Sequence, residues 1–223
     1  MRMHHDHPCE VGRPSANVGL IRVHSLIHGS TVNGPDVRSV VWVQGCSLRC
    51  PGCFNPETHP FNGGTLWSVP ALAEELAKAA TKGLTVSGGE PTDQIAAVVE
   101  LLGLYRRLCD RTILAYSGRE YEEIEALPDG AALLRLVDAA VLGRYRRDIP
   151  ERIRSWGSSN QKLHLLSDRL RAADFASRDT EILIHPDGTC TVTGYPDSRL
   201  VKALAIAGQG AVYSGVRQSP LEP

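Results

Sequence analysis

The stretch Cys46-Ser-Leu-Arg-Cys50-Pro-Gly-Cys53 places three cysteines on one short segment of the chain. This C-x3-C-x2-C spacing brings three thiolates close enough together to bind one metal centre. A cubane iron–sulfur cluster has four irons and normally takes four cysteine ligands. Three local cysteines therefore leave one iron open, and an open coordination position is where a metal centre performs chemistry.

Two other interpretations of these cysteines remain open at this point. The pair Cys50-Pro-Gly-Cys53 alone resembles a thiol–disulfide motif, although such motifs need no third cysteine. His59 lies six residues after Cys53, so Cys46, Cys50, Cys53 and His59 could form a structural Cys3His zinc site. The flanking sequence favours the iron–sulfur cluster.

The cysteine loop and a glycine-rich turn each follow a predicted strand. Ser39-Val-Val-Trp-Val-Gln-Gly45 is a β-branched and aromatic run that predicts a buried strand ending just before the cysteines. Residues 83–86 predict another strand, followed by Ser87-Gly-Gly-Glu-Pro91. The two glycines let a ligand approach the backbone closely, and Glu90 offers a carboxylate to an ammonium group. Ligand sites of α/β folds lie at such strand ends.

The rest of the chain alternates strand and helix patterns, which predicts an α/β fold with a parallel sheet. Strands are predicted at residues 20–27, 39–44, 84–86, 112–116, 139–142, 162–166 and 181–184. Helices are predicted at residues 70–80, 93–109, a stretch ending at 125, and 198–207. The Asp-Gly pair within Ile184-His-Pro-Asp-Gly-Thr-Cys-Thr-Val192 predicts the turn of a β-hairpin.

Composition excludes several classes of protein. The chain has 223 residues, 42% of them apolar, which is enough for one sizeable core. Its 24 Lys and Arg residues balance 25 Asp and Glu residues, which argues against nucleic acid or an anionic membrane as the main partner. No apolar stretch approaches the roughly 20 residues of a membrane span. Six cysteines are too few for a disulfide scaffold, and we expect a cytoplasmic protein with reduced thiols.

Residues 17–166 resemble the radical S-adenosylmethionine (SAM) activating enzymes, which install a glycyl radical on a partner enzyme. Ser87-Gly-Gly-Glu-Pro-Thr-Asp-Gln94 is similar to the SAM-binding turn of that family, and Trp156-Gly-Ser-Ser-Asn-Gln161 resembles a segment typical of the anaerobic ribonucleotide reductase activators. Asn33 stands where the signature usually has Asp. The positions that match the signature are Gly34, Pro35, Arg38, Gly45, Cys46, Cys50, Cys53, Asn55 and Pro56.

The resemblance implies a fold and a mechanism. The fold would be a partial (β/α) barrel of the radical SAM type with a small C-terminal hairpin-plus-helix extension. Cys46, Cys50 and Cys53 would hold three irons of one 4Fe-4S cluster, and SAM would chelate the fourth. An external flavodoxin- or ferredoxin-like donor would supply the electron that cleaves SAM to methionine and a 5′-deoxyadenosyl radical. That radical would abstract a hydrogen atom from a glycine Cα of the partner.

The resemblance also implies a set of SAM-binding residues. Glu90 and the backbone of Gly88 and Gly89 would hold the methionyl ammonium, and backbone near Phe54 would flank the adenine. Asn160 and Gln161 would line the active-site mouth, although amide side chains also commonly satisfy the backbone of their own loop. The full set of expected SAM contacts is Gly52, Phe54, Gly88, Gly89, Glu90, Ser117, Gly118, Asp138 and Gly143.

We expect a disordered N-terminus at residues 1–16, a radical SAM core at 17–180 and a C-terminal extension at 181–223 packed on the core. No role is assigned to the N-terminal His4, His5, His7 and Cys9. A cluster of arginines is either a solvated face or a docking patch for an acidic partner; its members are Arg144, Arg146, Arg147, Arg152 and Arg154.

Two enzyme classes follow. The first is an activator of a glycyl radical enzyme, most like the activating protein of anaerobic ribonucleotide reductase. The second is a radical SAM catalyst that acts directly on a small molecule or peptide, with the C-terminal extension closing the mouth. A zinc-binding interaction module is the non-enzymatic alternative.

Overall fold

A computed structural model describes residues 19–151, 153–175, 179–184, 190–195 and 211–213. The expectations for residues 1–16, for the helix at 198–207, for the hairpin turn at 185–189 and for Arg152 lie outside the described residues. No helix within the described segments has both the length and the apolar character that a membrane crossing requires.

The described chain contains ten strands and four α-helices in a mixed α/β arrangement. The strands are β1 Leu20–Ser30, β2 Arg38–Val43, β3 Thr65–Ser68, β4 Gly83–Gly88, β5 Thr112–Ser117, β6 Ala139–Leu142, β7 Lys162–Leu165, β8 Thr180–Ile184, β9 Cys190–Gly194 and β10 Ala211–Tyr213. The helices are α1 Val69–Lys78, α2 Ile95–Leu108, α3 Tyr121–Glu125 and α4 Gly130–Leu136. Strands β3 and β10 and helix α4 were not predicted.

The main sheet has seven strands in the order β3-β1-β2-β4-β5-β6-β7. Strands β2, β4, β5 and β6 run parallel, as predicted. The expectation of a wholly parallel sheet is wrong, because β1 is antiparallel to both β2 and β3, and β7 is antiparallel to β6. Parallel neighbours need a crossover of a dozen or more residues. Only residues 31–37 separate β1 from β2, so these strands pair as a hairpin.

The helices cover one face of this sheet and bury the larger core. Helix α2 turns Val98, Leu101, Leu102 and Tyr105 inward, at the spacing of one helical face, and all four are fully buried. Helix α1 packs against α2, and α2 packs against α4. Because β2, β4, β5 and β6 are adjacent and parallel, their carboxyl ends lie together at one edge of the sheet.

Arg38 is a fully buried cation at the start of β2. Its guanidinium donates five hydrogen bonds, to the backbone oxygens of Pro35, Leu84 and Thr112 and to the hydroxyls of Thr85 and Thr112, over 2.7–3.2 Å. Burial lowers the pKa of Arg38 to about 10, so the side chain stays charged at neutral pH. It joins the loop before β2 to β4 and β5.

A second, smaller sheet has the order β10-β9-β8. Strands β8 and β9 are antiparallel, which confirms the predicted hairpin, and β10 is parallel to β9. Leu183 of β8 packs against a cluster formed by Ile27, Val40 and Trp42. The hairpin therefore lies against strands β1 and β2 of the main sheet.

Candidate functional site

The cysteine loop begins where β2 ends, as the sequence predicts. Gly45 takes a positive φ of 98°, and its N–H donates to the backbone oxygen of Thr58 at 2.7 Å. Asn55 starts the short 3-10 turn Pro56–Thr58, and its backbone oxygen accepts the Thr58 N–H at 3.0 Å. The loop that carries the three cysteines therefore begins at the end of β2 and is closed by the hydrogen bond between Gly45 and Thr58.

All three cysteines of the loop line one pocket. Cys46 is buried, whereas Cys50 and Cys53 are partly exposed, and none of them forms a disulfide. Burial raises the pKa of the Cys53 thiol to about 11 and also raises that of Cys46. The thiols of Cys46 and Cys53 are therefore protonated at neutral pH without a metal, and iron binding must displace those protons.

His59 does not complete a zinc site with the cysteines. Its backbone oxygen accepts the N–H of Cys46 at 3.2 Å, while its Nε2 atom is buried with no hydrogen-bond partner. Throughout the described ranges, no three His, Cys, Asp or Glu side chains converge on a point that could hold a single metal ion. A cubane takes one thiolate on each of three separate irons, so it does not need the three sulfur atoms to meet at one point.

The Gly-Gly-Glu turn lies directly beside this loop. Gly89 donates its N–H to the Val43 oxygen at 2.8 Å, and Glu90 donates to the Gly45 oxygen at 2.9 Å. A Cβ atom on Gly88 would overlap the backbone of Val43, and one on Gly89 would overlap that of Gly45. Only glycine allows the two backbones to approach so closely.

The carboxylate of Glu90 is almost completely buried in the floor of the pocket. Its Oε1 accepts hydrogen bonds from the N–H and hydroxyl of Thr92 and from the hydroxyl of Ser117, at 3.0, 2.7 and 2.8 Å. Its Oε2 accepts the N–H of Gly118 at 2.8 Å. Burial raises the pKa of Glu90, and these hydrogen bonds oppose that rise. The carboxylate is thus held in one orientation toward the pocket.

Asp93 ties the cysteine loop to this turn. Its carboxylate accepts the N–H of Ser47 at 2.6 Å and the Ser47 hydroxyl at 2.9 Å. Arg119 bonds the same carboxylate at 3.2 Å and donates to the hydroxyl of Thr92 at 2.8 Å. The loop after β2, the turn after β4 and the segment after β5 therefore form one connected unit.

The expected SAM contacts divide into those that line the pocket and those that do not. Ser117 and Gly118 line it and bond Glu90. The other expected contacts that line it are Phe54, Gly88, Gly89 and Glu90. Gly52 is absent from the lining and instead takes a positive φ of 73° in the turn between Cys50 and Cys53.

Asp138 and Gly143 do not fit the role expected of them. Asp138 precedes β6 at its amino end, and its carboxylate accepts bonds from Arg106 at 2.6 Å, the Ile113 N–H at 2.7 Å and Ser167 at 2.8 Å. It lies outside the pocket lining because the site is at the opposite end of the strand. Gly143 also lies outside that lining; its N–H donates to the oxygens of Ser117 and Arg119.

The amide residues before β7 chiefly hold their own loop. Gln161 lines the pocket, but its Oε1 accepts the N–H groups of Gly157 and Ser158, both at 3.0 Å, and its Nε2 donates to the Gly143 oxygen. Asn160 donates to the oxygen of Arg144 at 2.9 Å and is not among the lining residues. This is the pattern of a loop fastened by its own amides.

The arginine cluster is partly neutralised within the chain. Arg144 lies 3.6 Å from a carboxylate oxygen of Glu123, and Arg146 lies 2.6 Å from that of Asp148. The Arg154 guanidinium lies 5.2 Å from the centre of the Trp156 ring. These contacts are typical of a solvated face.

Sequence reasoning missed much of the pocket wall. Asn55 was noted only as a motif position, yet its Oδ1 atom is buried without a hydrogen-bond partner. Every second side chain of a strand lies on the same face of the sheet. This rule could have found the lining residues on β2, β4 and β5, which are Trp42, Thr85, Ser87 and Tyr116. The lining residues that were not assigned include Asn33, Trp42, Leu48, Thr85, Ser87, Tyr116, Tyr145, Gly157, Thr193, Gly194 and Tyr195.

Comparison with known proteins identifies the same region. The sequence pattern of the 4Fe-4S single cluster domain family matches residues 32–164. The chain is 33% identical over 140 residues to the anaerobic ribonucleoside-triphosphate reductase-activating protein of Enterobacteria phage T4, covering 59% of this chain and 86% of that protein. It is 28% identical over 153 residues to the protein of that name from Escherichia coli (strain K12), covering 64% and 97%.

A second type of relative is matched over a smaller part of its length. The chain is 38% identical over 118 residues to the pyruvate formate-lyase-activating enzyme of Listeria monocytogenes serovar 1/2a, a match that spans 48% of each chain. Together with the pocket, these matches define an iron–sulfur enzyme of the radical SAM class. Within that class, the chain belongs to the 4Fe-4S single cluster domain family of activating enzymes. Its cofactors are one 4Fe-4S cluster and SAM, with an external reductant.

The described residues fit these cofactors. Three free thiols face a pocket whose other side holds a buried carboxylate, Glu90. Gly88 and Gly89 line the same pocket. The buried, unpartnered Oδ1 of Asn55 offers a further hydrogen-bond acceptor to a bound ligand.

Proposed function

We propose that this chain activates a glycyl radical enzyme and that anaerobic ribonucleotide reductase is that partner. The observation that carries the proposal is the shared pocket of the three cysteines and Glu90, in a chain that covers 86% of the phage T4 reductase-activating protein. When bound, the cluster and SAM supply a 5′-deoxyadenosyl radical that takes a hydrogen atom from a glycine of the partner.

In this proposal the chain's own residues bind the cluster and SAM, orient them and shield them from water. Cys46, Cys50 and Cys53 would hold the cluster, and Glu90 would accept a hydrogen bond from the ammonium group of SAM, while Ser117 and Gly118 fix the orientation of the Glu90 carboxylate. The proposed SAM site comprises Phe54, Gly88, Gly89, Glu90, Ser117 and Gly118. Holding the reacting groups in a dry, fixed arrangement is the main contribution of a protein to cofactor chemistry.

We also propose the finer architecture that this function requires. The sheet would curve into a partial (β/α) barrel around the pocket, a proposal supported by four parallel strands with helices on one face. Residues 17–180 would form the core and 181–223 the extension. We place the enzyme in the cytoplasm, because the cysteines that hold the cluster must stay reduced.

The decisive test is an anaerobic activation assay with reconstituted protein, SAM, a reductant and the reductase encoded in the same genome. We expect a glycyl radical in the electron paramagnetic resonance spectrum of the reductase. The matched control is a reductase in which the radical glycine is replaced by Ala, which should give no signal. SAM cleavage without any radical on the reductase would instead favour a catalyst of small molecules or peptides.

Replacing Glu90 should weaken SAM binding. We expect Glu90→Gln to cost about 1.5–3 kcal/mol, the typical value of a hydrogen bond to a charged group, which is roughly a tenfold to hundredfold higher dissociation constant. Equilibrium binding of SAM to the cluster-loaded protein measures it. The exposed Glu122→Gln serves as control and should bind like the wild type. Equal affinity in both variants would remove Glu90 from the site.

A further inference from the structure

The C-terminal hairpin supplies part of the pocket although it lies outside the matched family domain. That domain ends at residue 164, whereas β8 and β9 follow at Thr180–Ile184 and Cys190–Gly194. Thr193, Gly194 and Tyr195, at the end of β9, line the same pocket as the three cysteines and Glu90. Any role of these residues is therefore an addition to the family core.

Polar contacts fix the hairpin to the wall of the pocket. Thr193 is 1% exposed, and its hydroxyl accepts a hydrogen bond from Nδ2 of Asn33 at 2.9 Å. The backbone oxygen of Asn33 accepts the hydroxyl of Thr85 at 2.8 Å. At the other strand, the carboxylate of Glu181 accepts the N–H and hydroxyl of Thr31 at 3.3 and 3.2 Å. The hairpin thus has a defined position against β1, β2 and the connection between them.

Backbone geometry then directs Tyr195 into the pocket. Gly194 has a positive φ of 89°, and a Cβ atom there would overlap the backbone oxygen of Asp179, so this position requires glycine. The N–H of Tyr195 donates to that same oxygen at 3.0 Å. The chain therefore turns sharply at Gly194 and presents Tyr195 at a fixed place.

The ring of Tyr195 completes a row of three aromatic rings. Its centroid lies 6.3 Å from that of Phe54 in an edge-to-face arrangement, and Phe54 lies 4.5 Å from Tyr145. Phe54 directly follows the cluster ligand Cys53. Aromatic rings offer large apolar faces, and a glycine segment has no side chain to keep its backbone away from them.

We propose that Thr193 and Tyr195 of the C-terminal extension wall the reaction pocket and place the glycine segment of the partner enzyme over the cluster. This inference rests on the proposed function and names the substrate contact of that same site. Tyr195 contacts the peptide, and Thr193 acts as a positioning residue through Asn33. The proposed SAM site shares Phe54 with this aromatic row and is otherwise formed by the residues around Glu90.

The test compares four cluster-loaded proteins: wild type, Tyr195→Ala, Tyr195→Phe and, as a control on the exposed part of the same hairpin, Ile184→Ala. We expect Tyr195→Ala to raise the KM for the reductase about tenfold, as truncation of a buried aromatic anchor does. The KM for SAM should stay unchanged, and 5′-deoxyadenosine should form in excess of glycyl radical. Ile184→Ala should behave like the wild type, and Tyr195→Phe, which keeps the ring, should raise the KM for the reductase less than Tyr195→Ala does. An unchanged reductase KM in Tyr195→Ala would overturn the proposal.

A second measurement needs neither SAM nor a partner. The rate at which a ferrous chelator removes iron from the reduced cluster reports how well the wall closes the pocket. We expect iron removal to be several-fold faster in Tyr195→Ala than in Tyr195→Phe. Equal rates would show that the Tyr195 ring does not wall the pocket. If Tyr195→Ala does not fold, Tyr195→Leu replaces it and should raise the reductase KM in the same way. If the wild type cleaves SAM but forms no radical on the reductase, the proposed function fails. The chelation rates still test whether Tyr195 closes the pocket.

Discussion

Each of the single variants Cys46→Ala, Cys50→Ala and Cys53→Ala should lose SAM cleavage by roughly a thousandfold or more, as expected when one member of an interdependent catalytic set is removed. A cubane with only two protein ligands is not held in the pocket, so its iron content should fall as well. Iron and sulfide analysis of anaerobically purified protein and the rate of 5′-deoxyadenosine formation measure both effects.

The matched control for these variants is Cys109→Ala. Cys109 follows the end of α2 and donates a weak hydrogen bond from its thiol to the oxygen of Tyr105, away from the pocket. This variant should keep its iron and its activity. Retained SAM cleavage in any of the three loop variants would show that the cluster is misassigned, and stoichiometric zinc in the wild type would restore the Cys3His interpretation.

Arg38→Met should lower the free energy of unfolding by roughly 3–5 kcal/mol, because it leaves buried oxygens without donors. Urea denaturation of the cluster-free protein, followed by circular dichroism, measures the change. The Arg38 side chain is fully buried and makes five hydrogen bonds. Water therefore cannot reach the oxygen atoms that lose their donor in the variant.

Arg107→Met is the appropriate comparison for Arg38. Arg107 lies on the exposed surface of α2, and substitution there should change stability by no more than about 0.5 kcal/mol. Equal destabilisation by the two substitutions would show that the hydrogen bonds of Arg38 contribute little. A loss confined to Arg38→Met would identify this residue as a structural support of the loop before β2 rather than a ligand of the cofactors.

Local sequence patterns sufficed for the parts of the fold that depend on short-range rules. Alternation, glycines and helix-forming residues located eight of the ten strands and three of the four α-helices in the described part of the chain. The direction of the outer strands was predicted wrongly, because it depends on which strand each one meets in space. The connection 31–37 between β1 and β2 is too short for a parallel crossover, and it was therefore a sign of an antiparallel pair.

The site was predictable where its chemistry lies in consecutive residues. The cysteine loop and the Gly-Gly-Glu turn each follow a strand, and parallel strands bring their carboxyl ends together. Asp138 was misplaced because it precedes its strand, so it lies at the amino end beside Arg106. Thr193 and Tyr195 could not be foreseen, since their approach to Asn33 and Phe54 spans more than a hundred residues of chain.

The carboxylate of Asp93 has a thermodynamic consequence for the two cofactors. Because it bonds Ser47 of the cysteine loop and Arg119 beside the Glu90 turn, ordering either segment favours the ordered state of the other. Binding that depends on a shared ordered state is reciprocal. Cluster loading should thus raise the affinity for SAM by the same factor by which SAM protects the cluster from dissociation. Asp93→Ala should lower both factors equally, while the ligation of SAM to the open iron keeps both above one.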